Sequence, residues 1–247
     1  MQEMIGKLMA NKYWNLLRME AGGNRILRIM AHPGSAWGND FLWESHFLQL
    51  VMMGFYPLSY SILEAFRVIE ELAPNDAIRS KVRFFVEVEE GKQAASDWYR
   101  NVSHSELFRR LFSSLSPGTT PITVDEEMLG QYLGALRLRE GGLVRALVTA
   151  TFIEKTGMYV LQLLHDFVAQ WQTLAGLSTS KVDLTYLNEH MLHEGEGSED
   201  QHVNLITNLV EECGPLDFGN EIRHFEAVTA KWLNHTHDCV YGILRSR

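Results

Sequence analysis

Apolar residues recur at alternating spacings of three and four along nearly the whole chain, the signature of helices with one buried face. The pattern predicts helices over Met1–Glu20, Trp37–Phe55, Leu58–Leu72, Ala77–Glu90, Ser103–Leu115 and Glu126–Leu138. It continues through Leu143–Leu174, Leu184–Glu194, Ser198–Cys213 and Phe218–Leu244. No two segments alternate as paired strands would. Breaks fall at Ala21-Gly22-Gly23, His32-Pro33-Gly34, Pro74-Asn75, Ser116-Pro117-Gly118, Gly141-Gly142 and Gly214-Pro215, where glycine, proline and asparagine favour turns. Without an internal repeat or a long linker, the expectation is one all-α domain across residues 1–247.

Composition narrows the partners. Hydrophobic residues make up 46% and charged residues 21%, ordinary globular usage. A net charge of −9 and the lack of a basic stripe argue against nucleic acid or an anionic membrane. Cys213 and Cys239 are too few for a disulfide scaffold, and a reducing cytoplasm is the expected compartment. Met-Gln-Glu-Met-Ile-Gly-Lys has no signal-peptide layout. The most apolar run, Phe47–Leu58, is far shorter than the roughly 20 residues of a membrane span.

Against this background, several imidazoles and carboxylates stand where a core should be. Leu143, Leu147, Thr151, Glu154, Met158, Leu161, His165 and Val168 share one helix stripe. Glu154 therefore points inward, where a carboxylate must be protonated, paired or metal-bound. A buried pair with Arg145 or Arg137 is the plain alternative. His165 lies roughly 16 Å further along the helix, too far to share an ion with Glu154, and reads as a hydrogen-bonded core histidine.

Ile78, Val82, Phe85 and Glu89 trace a second apolar face that ends in a carboxylate, with Glu90 adjacent. Ser103 and Glu106 form a capping box, with Val102 and Leu107 as its hydrophobic staple. That places His104 in the first turn of a helix, where the dipole disfavours imidazolium and so keeps the ring neutral for a metal. The segment Glu189–His202 is the richest. His190 and Glu194 form an i, i+4 pair, Gly195 and Gly197 interrupt, and Ser198 with Gln201 makes a second capping box. Beyond it, Glu199, His202, Ile206, Leu209 and Cys213 occupy one stripe. Glu199 and His202 are thus a Glu-x-x-His pair, the spacing by which one helix serves a carboxylate-bridged di-iron site. An acidic glycine-containing surface loop is the alternative here.

With these residues assembled, the chain resembles the haem-oxygenase-like di-iron oxidases, a superfamily that shares its multi-helix bundle with haem oxygenase, thiaminase II and pyrroloquinoline-quinone synthase. Glu89-Glu90-Gly91 is similar to its Glu-Glu-Gly segment, and His104-Ser105-Glu106-Leu107-Phe108 to its histidine before a Leu-Phe helix. Glu154 matches the lone glutamate of its middle helix. Tyr186-Leu187-Asn188-Glu189-His190 and Glu199-Asp200-Gln201-His202 resemble the two ends of its last motif. The resemblance implies two ferrous ions per chain, with manganese as the alternative metal, O2 as co-substrate and a homodimer. Glu89, His104 and His190 would hold one ion, Glu199 and His202 the other, and Glu154 would bridge them or be shared. It further implies oxidation of a small amine, amino acid or fatty-acid-like substrate. The register against Gly91 leaves Glu89 and Glu90 both open, and a long interval after His190 leaves Glu194 open beside Glu199.

Other readings compete. A thiaminase-like enzyme would need a cysteine nucleophile, and Cys213 sits late in its helix. Haem would need an early axial histidine, and His32 and His46 lack support. A helical interaction protein could carry the same histidines as core hydrogen-bonding groups. Phe55, Phe152, Trp43, Phe47 and Tyr159 are the candidate walls of an apolar pocket.

Overall fold

A computed structural model describes residues 45–92, 100–116, 122–191, 199–212 and 217–245. Most of the described residues are helical, and no strand occurs among them. The eight α-helices are α1 (Ser45–Glu71), α2 (Asp76–Glu89), α3 (His104–Leu115), α4 (Glu126–Leu136), α5 (Leu138–Ala175), α6 (Thr185–Met191), α7 (Glu199–Glu212) and α8 (Gly219–Arg245). A 3-10 turn at Thr179–Lys181 precedes α6. The predicted helix Met1–Glu20 lies outside the described residues.

Two long helices organise the rest. α1 packs against α2, α3, α4, α5 and α8, while α5 also meets α3, α6, α7 and α8. Their buried side chains belong to one hydrophobic cluster, with Phe66, Phe112, Phe152, Phe167, Trp171 and Phe225 almost fully enclosed. No helix among the described residues is long and apolar enough to cross a membrane.

Local chemistry sets most of the boundaries. Asn75 Oδ1 accepts from Ile78 N at 3.0 Å and Asp125 Oδ1 from Met128 N at 2.9 Å, opening α2 and α4. Ser103 Oγ accepts from Glu106 N at 3.2 Å and opens α3, as the capping box requires, but Glu106 turns its carboxylate to Arg109 and Arg110. Arg137, at φ 49°, separates α4 from α5, and Gly142, at φ 64°, kinks α5 after its first turn. The predicted start at Leu143 thus marks the long regular part of that helix.

The expected separation of Trp37–Phe55 from Leu58–Leu72 is overturned, because α1 runs unbroken through Pro57. Proline removes the N–H that would bond to the carbonyl four residues back, that of Met53. The indole Nε1 of Trp232, in α8, donates to that oxygen at 3.2 Å. The orphaned acceptor is therefore satisfied from another helix, and α1 continues.

His165 is also corrected. It is exposed and sits 3.5 Å from Asp166 Oδ1. Along this part of α5 the buried ridge runs through Leu161, Leu164, Val168 and Trp171. His165 falls just off its edge, so the stripe read from Leu143 onward loses its cover there.

Candidate functional site

The C-terminus of α2 is built to deliver one carboxylate inward. Ile78, Val82, Phe85 and Glu89 form its buried face, as the spacing predicts. Lys92 N donates to Glu87 O and Gly91 N to Val88 O, both at 2.8 Å, the paired bonds of a Schellman motif with Gly91 in the left-handed position at φ 75°. A Cβ on Gly91 would lie 2.1 Å from the carbonyl oxygen of Val102. Asn101 N donates to Gly91 O at 3.0 Å. Only a residue without a side chain lets the end of α2 press against the start of α3.

This contact sorts the two neighbouring glutamates. Glu89 is 5% exposed. Glu90 turns to Arg67 Nη2, at 2.7 Å, and to Lys92, and these cations hold its carboxyl below the usual glutamate range, the lysine hydrogen bond most of all. The choice that the motif register left open is resolved toward Glu89 as the inward residue. Across the α2–α3 contact, His104 Nδ1 lies 3.3 Å from Glu89 Oε2.

α6 brings the second imidazole. Its ring centroid is 4.8 Å from that of His104, edge-on. His190 Nδ1 is 2.7 Å from the backbone oxygen of Tyr186, one turn back. A carbonyl can only accept, so Nδ1 carries the proton and the lone pair resides on Nε2. Tyr186 also lays its ring 4.3 Å from that of His190 and meets Phe108 at 4.9 Å.

Glu154, likewise 5% exposed, comes from the middle of α5. The plain alternatives for it are taken elsewhere. Arg145 grips Glu221 and the carbonyl of Arg137, and Arg137 pairs with Glu140. Glu89 and Glu154 are the two buried carboxylates among the described residues. Both line one cavity, with His190, Ser59, Gly157 and Tyr186. Its remaining wall is Phe55, Leu58 and Ile62 from α1, Phe108 from α3, and Ile153, Val160, Leu161 and Leu164 from α5. The cavity offers about 70 Å³ to the centres of water molecules, room for roughly five of them.

Four of the six expected ligands therefore meet around one cavity: Glu89, Glu154 and His190 in its wall, and His104 against both Glu89 and His190. Glu199 and His202 open α7, which packs on α5, but their side chains lie outside the described residues. Ile206 and Leu209, further along their predicted stripe, are each 1% exposed. Glu194 and Cys213 are outside the described residues altogether. Among the described residues no three His, Cys, Asp or Glu side chains are gathered as a ready metal-binding group.

The donor chemistry nonetheless suits a hard divalent ion, since carboxylate oxygen and imidazole nitrogen are its usual ligands. The Tyr186 carbonyl fixes His190 in the tautomer that a ligand needs. The 3.3 Å between His104 Nδ1 and Glu89 Oε2 is about the separation of two ligand atoms each some 2.1 Å from a shared ion.

The apolar wall was only partly legible beforehand. Phe55 lines the cavity as expected, whereas Phe152 is core, stacked on Phe225 at 5.1 Å. Trp43 and the side chains of Phe47 and Tyr159 lie outside the described residues. Ile153, Gly157, Val160, Leu161 and Leu164 were missed, although their three-and-four spacing beside Glu154 carries the signal. The chain matches no protein-family model, no curated protein sequence and no solved structure.

Proposed function

We propose that this protein is a non-haem di-iron, O2-dependent oxidase or oxygenase of the haem-oxygenase-like kind, acting on a small amine, amino acid or fatty-acid-like substrate. One observation carries the reading: two buried carboxylates from separate helices, Glu89 and Glu154, face the same largely apolar cavity as His190, with His104 packed beside them. Burying two carboxylates in one apolar space is costly unless positive charge or protons come with them, and two imidazoles in the same place favour a metal.

In this reading Glu89, His104 and His190 would hold one ion and Glu199 and His202 the other, with Glu154 bridging or shared. Bound ferrous iron, or manganese in its place, supplies the electrons and open coordination positions that O2 chemistry requires. The chain's own part is positional. Gly91 fixes Glu89 against His104, and the Tyr186 carbonyl keeps the Nδ1 proton of His190 in place. Phe55, Leu58, Ile62 and Leu164 restrict water around the reacting groups.

Anaerobic Fe(II) titration of metal-free protein tests the reading. About two ions per chain are expected, with stoichiometry falling in Glu89→Gln and Glu154→Ala but not in Glu90→Gln. Absence of saturable binding by the wild type overturns it.

A further inference from the structure

α3 and the segment that leads into α6 run antiparallel and are joined at three levels. At one end the backbone N–H of Asp183 donates to Ser114 Oγ at 2.9 Å. In the middle Phe108 meets Tyr186 edge-on, with ring centroids 4.9 Å apart. At the other end His104 meets His190 at 4.8 Å. Each step back along α3 is thus a step forward along α6.

The three levels differ in what they can fix. Tyr186 and Leu187 are buried, and apolar burial holds α6 down without direction. A hydrogen bond is selective in both distance and angle. Upstream, the connection from α5 leaves through left-handed Gly176 and is exposed from Ser178 to Lys181, so it offers little hold. The hydroxyl of Ser114 is itself aimed. It donates to Leu111 O at 2.7 Å, which leaves its lone pairs to accept from Asp183. Asp183 Oδ1 then accepts from N and Oγ1 of Thr185, at 3.1 and 2.6 Å, and closes the turn into α6.

We infer that Ser114 is a positioning residue for His190: its hydroxyl sets the register of α6 on α3 and so stands His190 against His104. It acts from about 15 Å away along α3, at 1.5 Å per residue. A slip of one turn would carry the imidazole about 5.4 Å, out of contact with His104. The Tyr186 carbonyl aims the His190 ring, while Ser114 decides where along α3 that ring stands. The consequence for metal binding rests on the proposed function; the placement of the ring does not.

Two readouts on the full chain test it, with Ser114→Ala set against Ser114→Thr, which keeps the oxygen. In metal-free protein labelled at histidine, a nuclear Overhauser contact between the His104 and His190 rings is expected in the wild type and in Ser114→Thr. It is expected to vanish in Ser114→Ala with helicity by circular dichroism unchanged. In Fe(II) titration Ser114→Ala is expected to weaken binding about 10–100-fold. In a His190→Ala background it should add nothing, because the hydroxyl acts through that ring. A ring contact that survives in Ser114→Ala overturns the inference. So does its absence from the wild type, failure of Ser114→Thr to restore it, or an Fe(II) penalty equal with and without His190. Global unfolding of Ser114→Ala would mark a general role and overturns it as well. A protein that takes no iron yet shows the expected ring contacts loses the proposed function and keeps the positioning role.

Discussion

The α2–α3 corner and the short helix α6 each present residues to the same cavity, but they are held in different ways. At the corner, backbone does the work: a Schellman motif, a left-handed glycine in close contact with Val102, and a serine cap place Glu89 and His104. α6 is seven residues long and places His190 by one side-chain hydrogen bond to its own backbone and by ring packing through Tyr186. A backbone device fixes position and direction together and fails abruptly. A side-chain device fixes the tautomer and aim of one ring, and should weaken by degrees.

The sharpest way to break this contrast is Gly91→Ala. The new Cβ meets the Val102 carbonyl in a left-handed backbone, so a loss of at least about 3 kcal/mol in urea unfolding is expected, with Fe(II) binding lost at the same time. A variant that unfolds like the wild type would show that the corner yields easily. On the other side, Tyr186→Leu removes two ring contacts but keeps the carbonyl. It should cost about 1–2 kcal/mol and lower Fe(II) affinity roughly 10-fold, a graded response. Collapse of both fold and metal binding would erase the distinction drawn between the two regions. Ser103→Ala tests the corner at its weaker cap, with about 1 kcal/mol expected from thermal unfolding.

The smallest effect concerns Glu90. Its folded pKa lies below the ordinary 4.5, from hydrogen bonds to Lys92 first and Arg67 second. A depressed carboxylate stabilises the fold above its unfolded pKa and loses that contribution as pH falls through the folded value. The wild type should therefore exceed Glu90→Gln in stability at neutral pH, by less than about 1 kcal/mol. The gap should close progressively below pH 4.5 in paired denaturation curves. A gap independent of pH would mean that the side chain acts by packing and not by charge.

The helices were legible because each buries a single face and the periodicity records that face. Ser103, Asn75 and Gly142 announced boundaries through chemistry that acts within a few residues. Glu154 was legible for the same reason, as one wrong-polarity position on an apolar stripe. What failed or stayed open depended on distant partners. Spacing put Glu89 on the buried face, but the register against Gly91 left Glu90 open beside it, and Arg67, 23 positions from Glu90, helps turn that residue outward. His165 fits its stripe arithmetically, yet the cover over α5 shifts to the Leu164–Trp171 side. The join through Pro57 was illegible because the local rule was correct and its remedy lay 179 residues away.

That remedy has a temporal side. During synthesis α1 emerges long before Trp232, so its middle must persist with the Met53 carbonyl uncovered until α8 exists. Phe55, Leu58 and Ser59 stand in the turns that follow Met53. The helix that carries one wall of the cavity is therefore completed by a contact 179 residues further along the chain. Contacts of such long sequence separation form late and slowly. A nascent chain that stalled before α8 would carry the α1 wall of the cavity with the Met53 carbonyl one turn before it still open to water. Completion of α1 would then be a late event of folding, not one of its early products.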